Sequence, residues 1–327
     1  MALIKLDKEA YKFNLRQLAL RAGGYENLIC VFKDNAYGHG AQILAPIARE
    51  EGVGFIATRN EQEALALEAH FKDILILSHR PNGKEDPRFI YALNEPLNLK
   101  DFKKNTRIHL KIDTGMRRNG ICLSNLKEFL DSFHRYDLKL EGIFTHFAAA
   151  DEDESYHFQR QNFQKAKDLA RNFNENLIFH SFNSVALSRD TPPKDELCRV
   201  GLLQFGYGDD GLKKVLSLYA HRLSQRTLQK GQSMGYDNAF VAQEKMRVGT
   251  YDLGYADGLF RYDARGGLRL ADGREILGKM SMDSFSCEDG GEELCVFDDA
   301  RIWAEFFHTI SYEILVKLHP SIPRILI

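Results

Sequence analysis

Through about residue 213 the chain alternates short runs of branched apolar residues with amphipathic stretches, the pattern of parallel strands joined by crossover helices. The runs Leu28 to Phe32, Val53 to Thr58, Ile74 to Ser78, Phe89 to Leu93, Arg107 to Asp113, Leu138 to His146, Leu177 to His180 and Cys198 to Phe205 are predicted strands. They number eight, enough to close a (β/α) barrel. Helices are predicted between them over Ala41 to Ala48, Glu61 to Phe71, Ser124 to Phe133 and Gln159 to Asn172. The last carries Phe163, Ala166, Leu169 and Ala170 on one face. Past about Leu216 the pattern becomes alternation broken by turn signals: Lys230-Gly231, Arg265-Gly266-Gly267, Ala271-Asp272-Gly273-Arg274 and Asp289-Gly290-Gly291. The expectation is an α/β chain, a TIM-type (β/α)8 barrel over residues 1–213 followed by a mainly β domain over 214–327. One helical stretch near Ile302 to Lys317 interrupts the second part, and Pro323 to Ile327 closes it as a strand. A hydrophobic content of 44% over 327 residues is enough for a core in two parts.

In a barrel of this type the chemistry collects at the carboxyl ends of the strands, and there the predicted strands are unusually polar. Lys33 ends the first run. A lysine at a strand end facing a dry cleft spends time as the neutral amine and can attack a carbonyl, although a snorkelling lysine is the simpler reading of one residue. Tyr37-Gly38-His39-Gly40 follows it with a phenol, an imidazole and two flexible backbone points. Arg107-Ile108-His109-Leu110-Lys111-Ile112-Asp113 places Lys111 and Asp113 on one face. His146 and His180 end two further strands, and Arg199 opens the last, so several polar residues at equivalent ends suggest one shared site.

A formal net charge of −2 gives no reason to expect nucleic acid or an anionic membrane as partner, and small molecules are expected instead. The start, Met1-Ala2-Leu3-Ile4-Lys5-Leu6-Asp7, meets charges too soon for a signal peptide, so the expected location is the cytoplasm. Cys30, Cys122, Cys198, Cys287 and Cys295 are scattered, which suggests reduced thiols and neither a zinc site nor a redox pair. The run Asp151-Glu152-Asp153-Glu154 reads as a solvated loop and helix start, not a metal site.

The string Val31-Phe32-Lys33-Asp34-Asn35-Ala36-Tyr37-Gly38-His39-Gly40 resembles the pyridoxal-phosphate signature of alanine racemases. Leu110-Lys111-Ile112-Asp113-Thr114-Gly115-Met116, Thr145-His146-Phe147-Ala148, Asn183-Ser184, Gly254-Tyr255-Ala256-Asp257-Gly258 and Met282-Asp283 resemble further motifs of that family in order and rough spacing. The resemblance implies an enzyme that interconverts L-alanine and D-alanine with pyridoxal 5'-phosphate, supplies D-alanine for cell wall, and works as a head-to-tail homodimer.

It also implies roles. Lys33 would hold the cofactor and carry a proton on one face of the substrate Cα, and Tyr236 would do so on the other. A phenol's reference pKa of about 10 means that Tyr236 needs help near neutrality. His146 is similar to the histidine that bonds this phenol, and Arg199 to the arginine that faces the pyridine nitrogen. An arginine there only donates, which favours racemisation over transamination. Tyr37, Ser184 and the amides near Gly201 and Leu202 would hold the phosphate. Arg118 would reach the cofactor and the substrate carboxylate, oriented by a carbamylated Lys111. The alternative for Lys111 is an ion pair with Asp113.

Met282 would present its amide to the substrate and Tyr255 would narrow the entrance. The resemblance implies that Tyr236, Tyr255, Met282 and Asp283 come from the partner subunit. One departure stands out: many relatives carry a phosphate-contacting tyrosine shortly before the final Pro-Arg, where this chain has His319-Pro320-Ser321. Tyr207 is the candidate replacement. Lys279 and Ser281 also replace family residues ahead of Met282-Asp283. Two rivals use the same barrel: a fold-related decarboxylase, which would pair the ring nitrogen with an acid, and a cofactor-binding barrel without turnover.

Overall fold

Eight parallel strands close on one another in the computed structural model, which describes residues 1–327 apart from the side chains of 96–98. They are β1 (Leu28–Val31), β2 (Phe55–Thr58), β3 (Asp73–Ile76), β4 (Ile90–Leu93), β5 (Arg107–Asp113), β6 (Lys139–Phe144), β7 (Ile178–Phe182) and β8 (Glu196–Val200). Each pairs in parallel with its sequence neighbour, and β8 pairs with β1 in the register Cys198↔Leu28, Arg199↔Ile29, Val200↔Cys30. All eight predicted strands are present. The strands are short and almost wholly buried, as expected where helices cover one face and packed side chains fill the other. Residues 202–205, predicted to continue β8, form instead a 3₁₀ turn, Leu202–Phe205, ended by Gly206 at φ 86°.

The helices start where capping dictates. Glu152 accepts from the amides of Glu154 (3.1 Å) and Ser155 (2.8 Å), so the acidic run opens the helix Asp153–Phe173. Tyr156, Phe163, Ala166 and Ala170 form its buried stripe. Asn60 caps Glu61–Leu65. That helix stops short of the predicted Phe71, because beyond Leu65 the amides of Leu67 and His70 bond three residues back and tighten the chain into turns.

Met1–Tyr11, Tyr37–Gly40 and Lys213–Ile327 make up a second compact unit, distinct from the barrel unit of Lys12–Ala36 and Ala41–Leu212. A boundary at residue 213 therefore divides the chain differently at its start. Leu3–Leu6 pairs antiparallel with Leu216–Leu228 and parallel with Arg324–Leu326, so the first strand belongs to this sheet. Leu216–Leu228 also pairs with Met246–Tyr251 and Glu293–Phe297, and Met246–Tyr251 with Phe285–Glu288. The single helix predicted near Ile302 to Lys317 is two, Ala300–Phe306 and Ser311–Lys317, parted at His308, whose φ of 52° no α-helix accommodates. Trp303 is fully buried in this unit. Within the same unit Gly38 is fixed by sterics. A Cβ there would lie 2.0 Å from the Leu315 carbonyl oxygen, and its own carbonyl accepts from Arg324 Nε at 2.9 Å. Among the described residues, no helix is long and apolar enough to cross a membrane.

Candidate active site

Lys33 stands at the carboxyl end of β1, half-buried, after Phe32 has extended the ladder by donating to the Ala57 carbonyl at 2.8 Å. The chain then does something for which no glycine prepares it: Asp34, Asn35, Ala36 and Tyr37 all take left-handed φ values of 52–54°. That costs L-residues roughly 1–2 kcal/mol each. Three hydrogen bonds hold the turn. The Asp34 amide donates to Glu63 Oε1 (2.7 Å), the Ala36 amide to the Phe32 carbonyl (2.8 Å), and the Ala41 amide to Asn35 Oδ1 (2.8 Å). Strain held in place next to a half-buried amine is what a preorganised site contains.

Arg199 on β8 is buried, and its two terminal nitrogens donate to neutral acceptors. Nη1 donates to the His180 carbonyl (2.7 Å) and Nδ1 (2.8 Å); Nη2 donates to the Thr145 carbonyl (2.6 Å) and faces His146 Nδ1 at 3.4 Å. No carboxylate pairs with it among the described residues. Burial lowers its pKa to about 10, so it remains a cation at neutrality. Burial, with the charges of Arg199, Lys111, Arg118 and Lys33, pushes His146 down to about 3. His146 is therefore neutral, and four cationic side chains lie within electrostatic reach of it. Phe144 stacks on His180 at 4.8 Å and carries Arg199 over its ring at 5.3 Å.

Lys111 on β5 is 5% exposed, and its ammonium donates to Asn119 Oδ1. Burial and the charges of Arg118 and Arg199 lower it to about 8. The ion pair with Asp113 does not form. Asp113 instead caps its own turn, accepting from the amides of Gly115 and Arg117, each at 3.0 Å. Arg118 is exposed in that turn. Ser184 follows Asn183, which caps the short helix Ser184–Arg189, and the Ser184 hydroxyl accepts from the Gly201 amide at 3.0 Å. The serine is thus held at the turn that leads into Leu202. Tyr207 is buried nearby in sequence, its amide bonded to the Leu202 carbonyl at 3.2 Å.

The remaining candidates belong to the second unit. Tyr236 sits in the 3₁₀ turn Tyr236–Asn238, between the paired strands Ser233–Met234 and Phe240–Val241, and is 63% exposed. Lys279 holds that turn through Asp237 at 2.5 Å. Tyr255 and Met282 are brought together by the backbone, since Tyr255 donates to the Ser281 carbonyl (3.3 Å) and Ala256 to the Met282 carbonyl (2.9 Å). Gly254 makes this possible: a Cβ there would lie 2.3 Å from the Met282 oxygen. Met282 and Asp283 are exposed. Tyr37 is buried and meets the edge of Tyr312 at 5.7 Å.

Sequence reasoning did not single out His109, Thr145, Asn119, Glu63 or Tyr312. Each acts by supporting another residue, and a support leaves no spacing signal. A cavity of about 580 Å³ does open in the barrel unit, but at the amino ends of the strands, lined by Phe55, Asp73, Ile178 and Leu197, away from Lys33 and Arg199.

Fold and site define a (β/α)8-barrel enzyme whose carboxyl-end residues gather around a strand-end lysine and a buried, donor-only arginine. The family profiles "Alanine racemase, N-terminal domain" and "Alanine racemase, C-terminal domain" match residues 6–209 and 215–326. The chain is 62% identical over 328 residues to the alanine racemase of Campylobacter jejuni subsp. jejuni serotype O:2, covering 100% of both chains. It is 50% identical to that of Campylobacter curvus, over 99% of each. The solved alanine racemase of Streptomyces coelicolor A3(2) superposes with a TM-score of 0.88 at 27% identity, over 100% of this chain and 98% of that one. The chain belongs to the alanine racemase family, pyridoxal-phosphate enzymes of the isomerase class.

The residues present fit that cofactor. A ring nitrogen with a lone pair suits Arg199, a buried cation whose neighbours are all neutral acceptors. A phosphate suits the Ser184 hydroxyl paired with the Gly201 turn amide, and the phenol of Tyr37 is a further donor of the kind such a group takes.

Proposed function

We propose that this chain interconverts L- and D-alanine by a two-base mechanism in which Lys33 and Tyr236 work on opposite faces of the substrate Cα. Pyridoxal phosphate, when bound, supplies an electron-withdrawing ring that acidifies the Cα–H bond. Lys33 would hold it through Nζ, Arg199 would donate to its ring nitrogen, and Tyr37, Ser184 and the amides at Gly201 and Leu202 would hold its phosphate. Arg118 would bind the substrate carboxylate with the Met282 amide beside Asp283, and Tyr255 would narrow the entrance.

The single observation that carries this reading is the bonding of Arg199. A guanidinium has no acceptor and remains charged at neutrality, so Arg199 would donate to the ring nitrogen without giving up a proton, and the cofactor so held would supply only moderate electron withdrawal. That would favour return of the proton to Cα over diversion to other products. A fold-related decarboxylase needs an acid at that position, and this chain has none there. The orientation of His146 follows from the same arginine. Its Nδ1 receives Nη2, so Nε2 carries the proton and can donate to a phenolate, the help that Tyr236 needs to act as a base.

Tyr236 is 63% exposed and Met282 54%, large side chains with little cover in one protomer. That supports a head-to-tail homodimer in which Tyr236, Tyr255, Met282 and Asp283 complete the partner's site. D-alanine for peptidoglycan is the product of use, and the cytoplasm is the place of work. Incubating either enantiomer in deuterated water tests the reaction: α-deuterium gain with loss of optical purity is expected, and the absence of both would refute it. Borohydride reduction and peptide mapping should place a pyridoxyl group on Lys33.

A further inference from the structure

We infer that His109 is a positioning residue for Arg199: its Nδ1 accepts the His180 Nε2 hydrogen and holds that ring in place, and the His180 ring in turn fixes the aim of the guanidinium. The inference rests on the cofactor-facing role of Arg199 proposed above.

A guanidinium and two imidazole rings are hydrogen-bonded in series inside the barrel. Arg199 Nη1 lies 2.8 Å from His180 Nδ1, and His180 Nε2 lies 2.8 Å from His109 Nδ1. Both histidines have no exposed surface. Every proton along this line can be placed from one fact, that arginine only donates. Nη1 therefore gives its hydrogen to His180 Nδ1, which must be bare. Burial and the charge of Arg199 hold His180 well below its ordinary pKa, so the ring is neutral and its one hydrogen sits on Nε2. That hydrogen points to His109 Nδ1, which must be bare in turn. His109 is also neutral, lowered to about 3 by burial and by the charges of Arg107 and Arg199, so its hydrogen sits on Nε2. His109 Nε2 is buried and has no hydrogen-bond partner among the described residues.

This last atom argues for a role. A buried donor left without an acceptor costs about 1–3 kcal/mol, and a leucine or phenylalanine would fill the space without that cost. The chain carries the penalty at the far end of the line, where it delivers an acceptor to His180. The barrel also makes room for the imidazole. Gly142, the β6 residue in register with His109, would bring a Cβ within 2.8 Å of the ring, and Phe55 closes the other side edge-on at 6.0 Å. With the His109 ring so confined, His180 has one acceptor in one place.

The test uses the full chain as purified with its cofactor, labelled with ¹⁵N-histidine. Long-range ¹H–¹⁵N correlation should show His180 and His109 both protonated on Nε2; an Nδ1–H form of either overturns the inference, with no variant needed. His109→Leu removes the acceptor at similar volume. The His180 Nε2–H signal should shift, and kcat should fall about tenfold with KM for alanine changed less than about twofold. His109→Asn, whose side-chain oxygen reaches the position of Nδ1, should restore kcat to within about threefold. An unchanged His180 signal in the leucine variant, or an asparagine variant as slow as leucine, overturns the inference. Should the wild-type chain not racemise alanine, the proposed function fails while the tautomers are still read.

Discussion

Gly142 and His109 are register partners on β6 and β5, and a Cβ on Gly142 would sit 2.8 Å from both Cε1 and Nε2 of the imidazole. The glycine is there because of the ring, since both atoms lie in a barrel interior with no free side to retreat to. Gly142→Ala should therefore destabilise the protein by about 1–3 kcal/mol, the usual cost of overpacking a core. The urea midpoint should drop with an unchanged slope. Combining Gly142→Ala with His109→Asn should cost less than the sum of the two, because the smaller side chain gives way.

The same histidines make stability depend on acidity. His109 and His146 are each lowered to about 3 from an ordinary 6.5. Between those values the unfolded chain binds protons that the folded chain refuses. Stability from this source is complete above about pH 6.5 and is lost as the pH falls toward 3, by about 1.4 kcal/mol per pH unit for each histidine. Urea unfolding at about pH 6 and about pH 5 should show a wild-type slope steeper than that of His109→Asn by roughly this amount. Equal slopes would mean that His109 is not held neutral.

Much of this fold was written in the hydrophobic pattern, and the reasons for the exceptions are physical. All eight barrel strands were visible because a parallel strand buried on both faces must be a continuous apolar run, and Lys33, His146 and Arg199 were visible because they interrupt or end such runs. The first strand, Leu3–Leu6, could not be assigned to its sheet, since its partners begin at Leu216 and Arg324 and such long-range pairing has no local signature. The left-handed turn from Asp34 to Tyr37 was hidden because no glycine marks it; the hydrogen bond from the Asp34 amide to Glu63, which comes from another segment, helps hold it. His109 lay in plain view beside Lys111, but only the 2.8 Å contact to His180 separates it from a core histidine.

Lys111 offers a chemical prediction. Carbon dioxide adds only to the neutral amine, and a lysine lowered to about 8 is half neutral at that pH, whereas an ordinary lysine is almost wholly charged. Each unit below about 8 cuts the neutral fraction roughly tenfold. In ¹³C-bicarbonate a carbamate carbon should appear in the wild-type spectrum, more strongly near pH 8 than near pH 6.5, and be absent from Lys111→Gln. The added carboxylate would face the charges of Arg118 and Arg199, which now lower the lysine, so it would be drawn to the arginines that repel the ammonium. No carbamate signal at either pH would leave Lys111 as the amine bonded to Asn119.

The shared site can be tested without a structure of the dimer. If Lys33 and Tyr236 of each site come from different protomers, then Lys33→Ala and Tyr236→Phe are each inactive for racemisation, by at least about 10²-fold for loss of a proton carrier. Tyr236→Phe should still exchange the α-proton of one enantiomer with solvent, because Lys33 serves one face unaided. Unfolding the two variants together and refolding them as a mixture gives about half mixed dimers. Each mixed dimer has one site with both carriers and one with neither, so about a quarter of wild-type activity should return. If both carriers of a site come from one chain, every site in the mixture lacks one of them and the activity stays at the level of the separate variants. The outcome separates these two arrangements by a factor large enough to read from the optical rotation of alanine.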